Sequence, residues 1–167
     1  LFAFLSFFGH SFAQTEGFSK NTDSSQTYYK IFGKGSPILI INGGPGMNSN
    51  GFEPMAKILA EKNQTIIYDQ RGTGKSVLKE LNSKTISMKL MADDIESLRK
   101  HLKIEKWTIL GHSFGGMLAS YYATIYPNSI DKLILSSSGG LDLSLLKGEN
   151  LIEAGLSKIE KDSLNYW

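Results

Sequence analysis

A serine with a glycine two residues away on each side, Gly111-His112-Ser113-Phe114-Gly115, is the part of this chain most suited to covalent chemistry. A hydroxyl becomes an effective nucleophile only when a base takes its proton and its surroundings present it to a carbonyl. The flanking residues supply the second condition. Trp107-Thr108-Ile109-Leu110 is a short apolar, strand-like run, and Gly116 to Ala123 reads as a buried helix. The pattern G-x-S-x-G between a strand and a helix is the nucleophile elbow of serine hydrolases, a tight turn that strains the serine backbone and lifts its hydroxyl above the sheet edge. Gly111 and Gly115 stand where a Cβ would collide with the neighbouring segment.

Asn42-Gly43-Gly44-Pro45-Gly46 directly follows a second apolar run, Ile38 to Ile41. In a hydrolase sheet the loop at this place lies beside the elbow and can offer a backbone N–H to the oxyanion of an acyl-transfer intermediate. Gly43 and its glycine neighbours let the main chain come close to a substrate, Pro45 stiffens the turn, and the Phe114 N–H is the expected second donor. Asp69-Gln70-Arg71-Gly72-Thr73-Gly74-Lys75-Ser76 contains Gly-Lys-Ser, but a phosphate-binding loop needs glycine where Asp69 stands, and no clear helix follows. The segment reads instead as structural, with Asp69 and Arg71 expected to brace the loop by a charge-assisted pair near the site.

The base is harder to place. The chain has three histidines, His10, His101 and His112. His112 adjoins the serine, and neighbours at an elbow point to different sides. His101 ends a helical stretch and reads as solvent-facing or held by the helix dipole. His10 lies in the apolar N-terminal run. A triad of this kind runs in the order Ser, Asp or Glu, His, and no histidine follows Ser113. The base is therefore expected outside these 167 residues. Asp131, Asp142 and Asp162 follow the serine, and none of them reads as the triad acid.

The elements that must position these groups alternate. Gln26–Phe32, Pro37–Ile41, Thr65–Tyr68, Trp107–Leu110 and Lys132–Leu135 read as strands. Helices are expected over about 52–62 and 86–103, the second with Met91, Ile95, Leu98 and Leu102 on one face. Pro127 is expected to stop the helix after the elbow. This is the pattern of an α/β fold, a mostly parallel sheet with flanking helices. From Leu141 onward the sequence turns amphipathic without a further strand, so the sheet reads as incomplete.

Composition agrees with one globular domain, 41% hydrophobic and 20% charged over 167 residues. A net charge of +2 without a basic block gives no reason to expect a nucleic-acid partner. The absence of cysteine excludes disulfides, a thiol nucleophile and Cys-based zinc sites. Residues 1–13, with Phe2, Phe4, Phe7, Phe8 and Phe12 ahead of Ala13, read as the remnant of a secretory signal peptide. They are too few to span a bilayer. The expected location is exported, periplasmic or released, with no stable membrane insertion. Residues 14–27 are polar and read as a linker.

Gly-Gly-Pro-Gly after a strand, Asp-Gln-Arg-Gly-x-Gly-x-Ser, and Gly-His-Ser-Phe-Gly-Gly, in this order, resemble the proline iminopeptidases of the α/β-hydrolase superfamily over roughly residues 28–140. The resemblance implies an α/β-hydrolase fold and a serine aminopeptidase that releases N-terminal residues, typically proline, from short peptides through an acyl-enzyme. It implies Ser113 as nucleophile, Gly44 and Phe114 as oxyanion donors, and no cofactor or metal. Residues 28–140 would then be the N-terminal part of the hydrolase domain and 141–167 the start of a helical cap. The triad Asp and His and most of the cap are expected beyond this fragment. The family usually has His where Asn42 stands. The same fold also serves esterases and other small-acyl hydrolases, or a non-catalytic binding protein.

Overall fold

The computed structural model describes residues 14–138. The expected signal remnant, residues 1–13, and the expected cap segment, residues 141–167, lie outside them. Within the described residues a six-stranded sheet carries three helices. The strands are β1 (Gln14–Lys20), β2 (Gln26–Phe32), β3 (Ser36–Ile41), β4 (Asn63–Tyr68), β5 (Trp107–His112) and β6 (Ile130–Ser136). The helices are α1 (Glu53–Leu59), α2 (Met88–His101) and α3 (Phe114–Ile125). Sheet order is β1-β2-β4-β3-β5-β6. β1, β2 and β4 pair antiparallel, and β4, β3, β5 and β6 run parallel.

The parallel strands are apolar runs because both of their faces are covered. Leu39, Ile41, Ile66, Tyr68 and Ile109 point to the side where Ile95 and Leu98 of α2 and Leu118 and Tyr122 of α3 pack. Ile40, Ile67 and Phe32 point to the other side, against Ala56 and Ala60 at α1. Each Leu, Ile or Phe side chain among them, fully removed from water, contributes about 1.5–3 kcal/mol. α2 starts where the Ser87 hydroxyl accepts the Leu90 N–H, and Arg99, Lys100 and His101 occupy its last turn. His101 is exposed there, with Nε2 3.2 Å from the Tyr29 hydroxyl.

Two expectations are corrected. Residues 14–20 are no linker: they form the edge strand β1, in register with β2 from Gln14↔Phe32 to Lys20↔Gln26. Its side chains are mostly exposed and only Ser19 is buried, so backbone pairing rather than an apolar pattern makes the strand. The Asp69–Arg71 brace does not form either. Arg71 is buried and turns to α2, where Nε and Nη2 grip the two Asp94 oxygens at 2.8 and 2.7 Å. Its Nη1 reaches Asp23 in the β1–β2 turn at 2.6 Å and the Thr85 carbonyl at 3.1 Å. A guanidinium has five donors in a rigid fork, and these partners use that geometry where a neighbour two residues away could not.

A second polar cluster joins α2 to α3. Glu96 accepts hydrogen bonds from Arg99, from the Tyr122 hydroxyl at 2.8 Å and from the Ser129 hydroxyl at 3.2 Å. Burial pushes the Glu96 carboxyl up, but the Arg99 and Tyr122 hydrogen bonds outweigh it and hold the group down at about 2. The Arg71 hydrogen bond likewise holds the Asp23 carboxyl at about 2.

Removing Arg71 leaves Asp94 buried without its counter-charge, so Arg71→Met should cost about 3–5 kcal/mol in a urea unfolding series, and a loss below 1 kcal/mol would refute the clamp. The depressed carboxyls set an acid limb. The ordinary values are 3.8 for Asp23 and 4.5 for Glu96, so their stabilisation is complete above that range and is lost as pH falls toward 2. Unfolding midpoints should fall across that window, and Glu96→Gln should flatten the fall while lowering the neutral-pH plateau. Parallel curves for the two proteins would count against this account.

Candidate active site

Ser113 sits between β5 and α3 at φ +50°, ψ −121°. A side-chain-bearing residue is rarely found there, and such a conformation costs on the order of 1–3 kcal/mol unless its surroundings impose it. Here they do. The Ser113 N–H donates to the Ser136 carbonyl of β6 at 3.0 Å, and the Gly116 N–H donates to the Ser113 carbonyl at 2.9 Å. The first turn of α3 lies against the end of β3. A Cβ on Gly115 would fall 2.1 Å from the Ile41 carbonyl oxygen and 2.6 Å from that of Asn42. A Cβ on Gly111 would fall 2.5 Å from the Gly115 carbonyl oxygen. All of these approaches are closer than any side chain allows.

The loop after β3 folds back beside the serine. A Cβ on Gly43 would come within 2.8 Å of the Ser113 Cβ. Gly44 is left-handed at φ +72°, its carbonyl accepts the Met47 N–H at 3.0 Å, and Pro45 is exposed on the turn. Buried Asn42 fastens this turn from below, its Nδ2 donating to the carbonyls of Gly43 and Met47 at 3.1 Å each. Gln70 Nε2 donates to the Asn42 carbonyl at 2.8 Å and so ties the loop to the segment after β4. Among the described residues no hydrogen bond uses the Gly44 N–H. Phe114 is the first residue of α3, where an N–H has no intrahelical acceptor.

Ser113, Gly43, Gly44, Met47, Asn48, Gly51, Phe52 and His112 line a cavity of about 290 Å³. Ser113 is half-buried, and its hydroxyl makes no hydrogen bond to another described residue. His112 does not serve it. The imidazole packs on the Phe52 ring at 5.5 Å between centroids, and its Nδ1 lies 3.3 Å from the Ser136 hydroxyl. Sequence reasoning overlooked Met47, Asn48 and Phe52 as cavity walls and Gln70 as a tie. Their signal is weak, consisting only of closeness in sequence to the two glycine loops. Among the described residues no cluster of three His, Cys, Asp or Glu side chains is placed to hold a metal ion.

Asp69 belongs to the scaffold of the site. One carboxylate oxygen accepts the Ser49 N–H and hydroxyl at 2.9 and 2.8 Å. The other accepts the Lys75 N–H at 2.8 Å. The Gly-Lys-Ser turn thus points a backbone donor at an internal carboxylate. A Cβ on Gly74 would lie 2.1 Å from that oxygen, which explains glycine there. The elbow and the adjacent glycine turn, whose Gly44 N–H has no partner among the described residues, thus line one cavity with Ser113 between them.

The family model described as alpha/beta hydrolase fold matches residues 36–154. The proline iminopeptidase of Lactobacillus helveticus is 38% identical over 118 residues, covering 68% of this chain and 40% of that protein. The proline iminopeptidase of Clostridioides difficile gives the same figures. The chain therefore spans about 40% of the length of these curated relatives. Among solved structures, an esterase from Exiguobacterium antarcticum is 31% identical with a TM-score of 0.66, over 74% of this chain and 46% of the esterase. A proline iminopeptidase-related protein from Thermus thermophilus shares the fold at 22% identity and a TM-score of 0.70, over 75% of this chain and 45% of that one. With its sheet order, elbow and glycine turn, the chain belongs to the alpha/beta hydrolase fold family and is a proline iminopeptidase-like member of it.

Proposed function

We propose that the whole protein is a serine aminopeptidase that removes N-terminal residues, typically proline, from short peptides. The observation that carries this is the Ser113 elbow set against the Gly43-Gly44 turn, with 2.8 Å between the Ser113 Cβ and the place a Gly43 Cβ would take. The names of the relatives support the peptide substrate. A histidine outside these 167 residues takes the Ser113 proton as Oγ attacks the scissile carbonyl. The Gly44 and Phe114 N–H groups stabilise the oxyanion, worth about 3 kcal/mol per donor in comparable sites. The histidine then gives its proton to the departing amine, leaving an acyl-serine that water hydrolyses. An aspartate, also outside these residues, orients the histidine. No metal or cofactor enters this chemistry. The apolar run at residues 1–13 supports export.

The likeness to an esterase at 31% identity favours a second reading, hydrolysis of small acyl esters at the same serine. The whole protein should hydrolyse a chromogenic prolyl amide faster than short acyl esters, and Ser113→Ala should lower that rate by about 10³-fold or more. A preference for esters would favour the second reading. Equal rates for the parent and Ser113→Ala would refute the nucleophile, as would failure of a fluorophosphonate to label Ser113, which would point to a binding protein.

A further inference from the structure

A second groove, of about 500 Å³, opens beside the first and has no part in the acyl chemistry. It lies between the β1–β2 turn and the segment after β4, lined by Asp23, Ser24, Ser25, Gln26, Lys75, Val77, Leu78 and Lys79. Both cavities face the same edge of the sheet. Antiparallel β2 begins where β4 ends, Asp69 N–H donating to the Tyr28 carbonyl at 3.0 Å, and β3 and β5 run parallel to β4. The two cavities also adjoin. Asn48 forms a wall of the Ser113 cavity, a Cβ on Gly74 would lie 2.9 Å from the Asn48 Cβ, and the next residue, Lys75, lines the second groove.

Electrostatics gives the second groove its character. The Asp23 carboxylate shares the single charge of Arg71 with Asp94, at 2.6 and 2.7 Å, and so keeps part of its negative charge; a bound anion belongs at the Lys75 and Lys79 end of the groove, away from it. Lys75 is held over the Tyr28 ring, its Nζ 4.2 Å from the ring centroid and 3.2 Å from the hydroxyl it donates to. Among the described residues its one ion-pair partner is exposed Glu16 at 3.8 Å, a loose contact that a bound anion can replace. Lys79 has no ion-pair partner among the described residues, and Val77 beside it is 73% exposed. The groove therefore offers two ammonium groups, the Ser24 hydroxyl and an apolar side, while the Ser25 hydroxyl is committed to Asp23.

We infer that this groove takes the carboxylate at the far end of a short peptide whose N-terminal residue sits at Ser113. The inference rests on the peptidase function proposed above and adds a preference for peptide length and terminal charge. From β5 to β2 the sheet steps across three strand spacings, about 14 Å, and an extended chain covers that in roughly four residues at ~3.4 Å each. Lys75 and Lys79 are here specificity residues for the departing part of the substrate.

The test uses the whole protein as Ser113→Ala, so that peptides bind without turnover, and isothermal titration of Pro-Ala-Ala-Ala-Ala, with four residues beyond the proline, as free acid and as C-terminal amide. The free acid should bind about 5- to 10-fold tighter, as two partly exposed ion pairs allow. Lys75→Gln with Lys79→Gln should reduce that preference below twofold, Lys75→Arg should keep it, and Lys79→Glu should reverse it in favour of the amide. Equal binding of acid and amide by the parent overturns the inference, as does a preference untouched by the lysine changes. Turnover of a prolyl aryl amide by the unsubstituted protein separates the two ideas. Turnover together with equal binding removes the groove's role and keeps the peptidase. A carboxylate preference without turnover keeps the groove and removes the peptidase.

Discussion

The site depends on one close approach, that of the first turn of α3 to the end of β3. Gly115 brings its backbone against the Ile41 and Asn42 carbonyls at separations that leave no room for a Cβ. With the helix that close, the chain leaving β5 must reverse within one residue, and Ser113 absorbs the reversal at φ +50°. The strain is met by packing beneath it, where Leu118, Ala119 and Tyr122 of α3 sit in the buried core with Leu39 and Ile109. The same approach sets the Gly43-Gly44 turn beside the serine, so the elbow and the glycine turn share one mechanical origin.

Behind this contact stands a lattice of ties between segments far apart in the chain. Gln70 holds the Asn42 carbonyl, Asp69 holds Ser49, and Arg71 joins the β1–β2 turn to α2. Three consecutive residues after β4 thus face three different neighbours. The loop after β4 serves as a junction, in which the Asp69 and Arg71 ties are charge-assisted hydrogen bonds and the Gln70 tie is a buried neutral one. The buried Asn42 amide supplies two donors to the glycine turn.

Much of this was legible in the sequence, for identifiable reasons. The central strands are apolar on both faces, and such runs announce themselves. α2 shows its amphipathic face in its residue order, Met91, Ile95 and Leu98 lying on its buried side. The elbow carries its own glycine pattern. β1 was not legible, because a polar edge strand is specified by its partner: Gln14 to Lys20 bury almost nothing. The partners of Arg71 were hidden by distance along the chain, 23 residues to Asp94 and 48 to Asp23. Sequence proximity suggested Asp69 instead. Composition around a loop names its charges, and only the fold decides which of them meet.

The carboxylate of Asp69 within the Gly-Lys-Ser turn has a wider consequence. It is an intramolecular competitor for any phosphate that approaches the Lys75 N–H. A tethered group acts at a local concentration of millimolar or more and cannot diffuse away. The turn is thus a self-occupied anion nest, closed by the protein's own side chain. Its likeness to a nucleotide loop ends at the letters, because the seat a phosphate would take was filled when the chain folded.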